Sequence, residues 1–265
     1  MAVIVAFHAH PDDETISTGG TLAKAADDGH RVVIVWATRG ENGEVPEGFL
    51  PDGEQLWQRR VVEAGRAAGI LGAARNEFLG YRDSGMMGTP ENDHPDAFWQ
   101  ADVEEAAARL AAILREEGAD VLTVYDDHGN YGHPDHIQVH RVGMRAGELA
   151  GTPRVYQATA NRDQILRGME ALRAAGVAIP EGRARAMPEF GSPEALLTTA
   201  VDVRDVIGRK RAAMEAHASQ ITPESWFLLL PPELFEQAFG TEWYIKVGER
   251  PRAMESSILD GLRPE

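Results

Sequence analysis

The sequence predicts an α/β fold: a Rossmann-like, mostly parallel sheet with helices on both faces. Three observations predict it. Short β-branched runs alternate with helical stretches through the first 160 residues. The runs are continuous apolar stretches, as in Arg31–Thr38 (RVVIVWAT), and so suit strands buried on both faces. Apolar residues make up 43% of the 265, enough for a sizeable core, and charged residues 26%.

Val3 to His8 reads as the first buried strand, and Gly20 to Asp28 as a helix. Arg31 to Thr38 is the second strand, Glu54 to Leu71 a helix, and Asn76 to Leu79 a short strand. Ala97 to Glu117 is Ala-rich and helical, Val121 to Tyr125 a strand, Asp135 to Ala150 a helix, and Arg154 to Thr159 a strand. The remainder is less regular. Gln164 to Ala175 reads as helix and Pro180 to Pro193 as Pro/Gly-rich loop. Leu197 to Val203 reads as strand, Arg204 to Gln220 as helix, and Trp243 to Val247 as a last strand. No repeat or linker divides the chain. One domain is expected over 1–265, with 1–160 as its core and 161–265 covering the strand-end site.

The bulk numbers exclude some functions. The net charge of −16 disfavours nucleic acid and anionic membranes as partners. It leaves open a small neutral substrate, a metal cation or a homo-oligomer. There are no cysteines, which rules out disulfides and thiolate metal sites and suggests a cytoplasmic protein. No apolar run reaches the ~20 residues of a membrane helix. The opening MAVIVAFHAH lacks a basic flank and reads as a strand, not a signal peptide.

Ligands of open α/β sheets bind beyond the carboxyl ends of the strands. Two such ends carry unusual loops: His10-Pro-Asp-Asp-Glu14 after the first strand, and Tyr131-Gly-His-Pro-Asp-His136 after the strand ending at Tyr125. His10 and Asp13 are three apart across a turn stiffened by Pro11. His133 and His136 are three apart at a helix start, and so share a face. Two imidazoles and one carboxylate make a zinc site with an open position for water. Such a metal lowers the pKa of the water towards ~7. A free carboxylate beside it can act as general base, and Asp12 is the candidate. A spare histidine can stabilise the oxyanion. Either loop alone reads equally well as a surface loop with helix-capping Asp residues; the two together at one sheet do not.

These loops resemble the paired signatures of the PIG-L/LmbE-like zinc-dependent de-N-acetylases. Arg60-Val-Val-Glu63 followed by Leu71-Gly72, Leu79-Gly-Tyr-Arg-Asp-Ser-Gly85 and His217-Ala-Ser-Gln220 add to the resemblance. The wording is closest to the mycothiol-pathway deacetylase and mycothiol-conjugate amidase subgroup. The resemblance implies a metal-dependent N-deacetylase of an amino sugar such as N-acetylglucosamine, or an amidase of a mycothiol-type conjugate. It implies that His10, Asp13 and His136 bind Zn2+, with Fe2+ an alternative, and that Asp12 is the base. His133 would stabilise the oxyanion as imidazolium. Tyr131 would approach the acetyl group, and Arg60 and Asp83 would bind sugar hydroxyls.

Other residues compete. His140 lies one turn after His136, and His8 two residues before His10. His94 and His128 sit in polar loops, whereas His30 and His217 read as structural. Asp135 reads as a helix cap or as the partner of a ligand imidazole, and Glu14 as a helix-start acceptor. Trp57, Trp99, Trp226 and Trp243 suit a sugar platform, although packing is the commoner use of Trp. A nucleotide-binding protein would need G-x-G-x-x-G where HPDDE stands. A two-metal phosphoesterase would need more bridging carboxylates. A zinc-dependent sugar-binding protein would share the site but have no use for Asp12.

Overall fold

The computed structural model describes residues 1–174, 189–248, 250 and 252–262. Most of the stretch expected as a Pro/Gly-rich loop, Pro180 to Pro193, lies outside them. The strands are β1 (Val3–His8), β2 (Arg31–Thr38), β3 (Arg75–Tyr81), β4 (Val121–Tyr125), β5 (Arg154–Thr159), β6 (Thr199–Asp202) and β7 (Thr241–Lys246). They form one sheet in the order β3-β2-β1-β4-β5-β7-β6. The first five pair in parallel, and β7 pairs antiparallel with both β5 and β6. The chain runs outward from β1 in both directions. The carboxyl ends of β1 and β4 therefore flank the crevice where strand order reverses.

The helices are α1 (Asp13–Ser17), α2 (Gly19–Asp27), α3 (Leu56–Leu71), α4 (Val103–Glu117), α5 (Pro134–Ala150), α6 (Arg162–Ala174), α7 (Ile207–Ala216) and α8 (Pro232–Phe239). Alternation along the strands divides the core between two faces. Val5, Phe7, Val33 and Val35 pack with Leu110 of α4 and with Val139 and Val142 of α5. Ile4, Ala6, Ile34 and Trp36 pack on the other face with Leu22 of α2 and with Ala64, Ala68 and Leu71 of α3. A smaller cluster joins Met214 and Ile221 to Phe235 and Phe239 of α8, with Ile16 packed against it.

The differences from expectation have local causes. The helix expected from Ala97 begins at Val103, because the Asp102 side chain caps it by accepting from the Glu105 N–H at 2.9 Å. Phe98–Gln100 forms a separate 3-10 turn. The helix expected to reach Gln220 ends at Ala216. Helix α8, opened by Pro232 at its first position, was not anticipated.

The C-terminal strand is tied to α7 by a buried ion pair and to α2 by the same carboxylate. Lys210 Nζ lies 2.6 Å from Glu242 Oε1, and the two side chains are 1% and 2% exposed. The Glu242 carboxylate also accepts from the Gly20 and Thr21 N–H groups at 2.7 and 2.8 Å, and so completes the start of α2. Among the described residues, no helix is long and apolar enough to cross a membrane.

Candidate metal centre

His10, Asp13, His133 and His136 meet at the crevice between β1 and β4, and each is under 10% exposed. One ring nitrogen from each of the three histidines lies within 4.8 Å of the others. Asp13 Oδ2 lies 3.3 Å from His10 Nδ1 and 3.3 Å from His136 Nε2. The turn beyond β4 closes tightly over this cluster. Gly129 has φ +67, and a Cβ there would stand 2.6 Å from His136 Cβ and 2.8 Å from the Ile137 nitrogen. Only glycine lets the turn approach the ligand helix so closely. Asp126 fixes the same turn, accepting from the Asn130 N–H at 2.7 Å and from Thr159 and Ser192 at 2.5 and 3.1 Å.

The donor chemistry fits a divalent cation. His10 Nε2 faces Asp135 Oδ2 at 3.1 Å, with Asp83 Oδ1 at 3.6 Å. An imidazole that donates Nε2–H to Asp135 presents Nδ1 as a bare lone pair. In that neutral form the lone pair faces the Asp13 carboxylate, two acceptors that only a proton or a cation between them can satisfy. A cation between them satisfies both. Burial opposes charge on His10, yet Asp83, Asp13 and Asp135 outweigh it and hold its pKa well above the ordinary value. Asp13 is held well below the usual carboxylate range, because the His136 and His10 imidazoles outweigh its burial. Asp83 and Asp135 also form a ligand-type cluster with His10. Asp135, however, accepts from the Ser84 N–H at 2.9 Å and from the Ser84 hydroxyl. Its geometry is that of a carboxylate fixing the orientation of the His10 imidazole. The Tyr125 ring stacks on His136 at 4.4 Å and 17° and so holds that imidazole in place.

Asp12 stands beside this set in a strained conformation, with φ 121° and ψ −37°. Its Oδ2 lies 3.3 Å from an Arg60 terminal nitrogen. Burial pushes the Asp12 carboxyl up to about 6, against the pull of Arg60 and with a smaller push from Asp13. Arg60 is 3% exposed and donates to Pro11 O at 2.5 Å and Gly40 O at 3.0 Å. Its guanidinium lies over Gly40 (φ +68), 2.2 Å from where a Cβ would be. Asp83 is also buried, accepting from the Gly85 and Asn42 N–H groups at 2.8 and 3.1 Å. Burial is outweighed there by His10, which holds Asp83 below its usual range. The structure thus brings Arg60 to Asp12, and Asp83 to the back of His10.

His133 differs from the imidazolium implied by the resemblance. Its Nδ1 caps α5 by accepting the Asp135 N–H at 3.1 Å. That nitrogen cannot also carry a proton, so the ring is neutral with the hydrogen on Nε2. Burial, with the charges of His10 and His136, pushes its pKa down to about 2. Tyr131 is half-exposed, with its hydroxyl 3.5 Å from His136 Nε2. Desolvation of the hydroxyl where it meets the site and the nearby Asp13 hold its phenol above the ordinary value, and so keep it a donor.

The competing histidines have other partners. His140 faces Tyr125 O at 3.0 Å, His30 accepts the Ala2 N–H, and His94 accepts the Asp96 N–H. His128 lies between Asp127 and Gly191 O. His8 is buried between Tyr125 and Thr18, and burial pushes it down to about 4. The tryptophans form no common platform: Trp57 lies under Arg39, Trp99 under Arg141, Trp226 against Phe227, and Trp243 in β7. Sequence reasoning undervalued His217, which is fully buried with Nε2 2.6 Å from Glu14 Oε1. The signal was its His-Ala-Ser-Gln setting. Ser219 bonds Glu63 there, and Gln220 Oε1 lies 3.2 Å from Arg60.

Residues 5–147 match the family described as PIG-L: GlcNAc-PI de-N-acetylase. The chain is 44% identical over 254 residues to a 1D-myo-inositol 2-acetamido-2-deoxy-alpha-D-glucopyranoside deacetylase of Acidothermus cellulolyticus, covering 90% of this chain and 86% of that one. It is similar in fold to the N,N'-diacetylchitobiose deacetylase of Pyrococcus horikoshii (TM-score 0.62, 20% identity, 92% of this chain and 83% of the other). It is also similar in fold to the 4-carboxy-2-hydroxymuconate hydratase of Pseudomonas putida (TM-score 0.58, 20% identity, 95% and 98%).

Proposed function

Because the chain belongs to the PIG-L, or GlcNAc-PI de-N-acetylase, family, we propose that it removes the acetyl group from N-acetylglucosamine joined to inositol. It is an amide hydrolase, an N-deacetylase of an acetylated amino sugar. The observation that carries the finer reading is the pairing of Asp12 and Asp13. One carboxylate lies between two imidazoles, and its neighbour is free of them and lies beside Arg60. A site that only bound a sugar would have no use for the second carboxylate.

His10, Asp13 and His136 would hold the metal, zinc or ferrous iron. When bound, it supplies Lewis acidity, polarising the amide carbonyl and acidifying water. Asp12 takes a proton from the attacking water as the new C–O bond forms. The neutral His133 donates its Nε2–H to the oxyanion, and the Tyr131 hydroxyl donates alongside it. As the C–N bond breaks, the proton held by Asp12 passes to the departing nitrogen, leaving acetate and a free amine. Arg60 and Asp83 are assigned to sugar hydroxyls. The chain folds as one domain. The absence of cysteine supports a cytoplasmic setting.

The test pairs elemental analysis with acetate release from N-acetylglucosaminyl-inositol, free N-acetyl sugars and a thioether conjugate. Asp12→Asn is expected to keep its metal and lose about 10²–10⁴-fold in kcat. Unimpaired turnover would remove Asp12 as base. Release only from the conjugate would replace the substrate assignment.

A further inference from the structure

Glu14 closes the HPDDE loop, yet the chemistry above gives it no part. Its carboxylate is fully buried. Oε2 accepts from Trp36 Nε1 at 2.9 Å and from the backbone N–H of Asp12 at 2.9 Å. Oε1 lies 2.6 Å from His217 Nε2. A charge is thus buried where its partners point at the backbone of the proposed base.

Asp12 needs such support. Its φ of 121° lies where residues other than glycine are rarely found. Such strain costs about 1–3 kcal/mol and persists only where the surroundings over-determine it. The peptide groups around Asp12 are all held. Arg60 holds Pro11 O at 2.5 Å, and Thr15 donates to Asp12 O from its nitrogen at 3.0 Å and its hydroxyl at 2.7 Å. The Asp12 N–H is held by Glu14. His217 lies beyond the 5–147 family match, so the last partner of this loop comes from the C-terminal part of the chain.

We propose that Glu14, oriented by His217 and Trp36, is a positioning residue. It clamps the Asp12 peptide in its strained conformation and so fixes where the base's carboxylate stands, beside Arg60. The inference rests on Asp12 being the base. The clamp acts through reach, not through charge alone. Gln at position 14 keeps an oxygen for the Asp12 N–H and turns its amide towards His217. Asp keeps the charge but withdraws the acceptor by one carbon–carbon bond.

The experiment compares Glu14→Gln and Glu14→Asp with the wild type. It measures metal content, kcat and KM for acetate release, and hydrogen exchange of the Asp12 amide by NMR. Glu14→Gln is expected to keep its metal and stay within about tenfold of wild-type kcat. Glu14→Asp is expected to keep metal and KM and lose about 100-fold in kcat, with its Asp12 amide no longer protected. The opposite order, with Asp the better substitute, would overturn the clamp. So would a fast-exchanging Asp12 amide in the wild type, a measurement that decides the matter even if Glu14→Asp does not fold. A wild type with a protected amide and no acetate release would leave the clamp standing and remove the proposed reaction.

Discussion

Replacing Lys210 with Met and Glu242 with Gln probes the buried pair that joins β7 to α2 and α7. The two losses are unequal. In Lys210→Met the Glu242 carboxylate keeps the Gly20 and Thr21 N–H groups and the Tyr244 hydroxyl at 3.2 Å. What disappears is one charge-assisted hydrogen bond, about 1.5–3 kcal/mol. In Glu242→Gln a buried ammonium faces a neutral amide. Among the described residues, its other neighbour is the Phe239 ring at 5.7 Å. Leaving a buried charge uncompensated costs about 3–5 kcal/mol. At about 2 °C per kcal/mol for a chain of this size, Tm falls by roughly 3–6 °C for Lys210→Met and roughly 6–10 °C for Glu242→Gln. Urea unfolding at constant m-value checks the free energies. The double variant is expected to be more stable than Glu242→Gln alone, since it removes the stranded charge. An equal or larger cost for Lys210→Met, or strict additivity, would refute the view that Glu242 is the hub.

Gly129→Ala is expected to weaken metal affinity about 10–100-fold, because the added methyl displaces the start of α5 that carries His136. Competition against a chelating dye measures it, and unchanged affinity would mean that the turn yields instead. Glu255 gives a pH signature. Burial opposes its charge, but Lys246 at 2.6 Å, Tyr156 and Thr199 outweigh it and hold the carboxyl below its ordinary 4.5. A carboxyl lowered on folding contributes stability above its unfolded pKa and loses it as pH falls through the folded value. The stability gap between wild type and Glu255→Gln should therefore be full at neutral pH and close below about pH 4. A gap independent of pH would show that Glu255 acts by packing.

The sheet was legible where burial on both faces writes continuous apolar runs, as in β1, β2 and β4. The ligand loops were legible because imidazole and carboxylate at three-residue spacing immediately beyond two strands have few other uses. Pairing direction at the sheet's far edge was not legible: nothing in Thr241–Lys246 says that it runs antiparallel between β5 and β6. Long-range partners were equally hidden. Glu14 and His217 are 203 positions apart, and no local pattern announces a contact across that distance. Arg60 and Asp83 were marked by resemblance alone; their bonds to Asp12 and His10 are set by how the loops fold over the crevice.

The placement of β7 also dictates an order of assembly. The strand enters the sheet between β5 and β6, and among the described residues β6 has no other strand beside it. On the ribosome, β1 to β5 can pair as they emerge, each beside a strand already made. β6 emerges next and must wait, unpaired, for about forty further residues before β7 arrives to receive it. His217 is made within that interval. The loop carrying Asp12 therefore acquires its last support late, and a nascent chain stalled before His217 would hold His10, Asp13, His133 and His136 without that support.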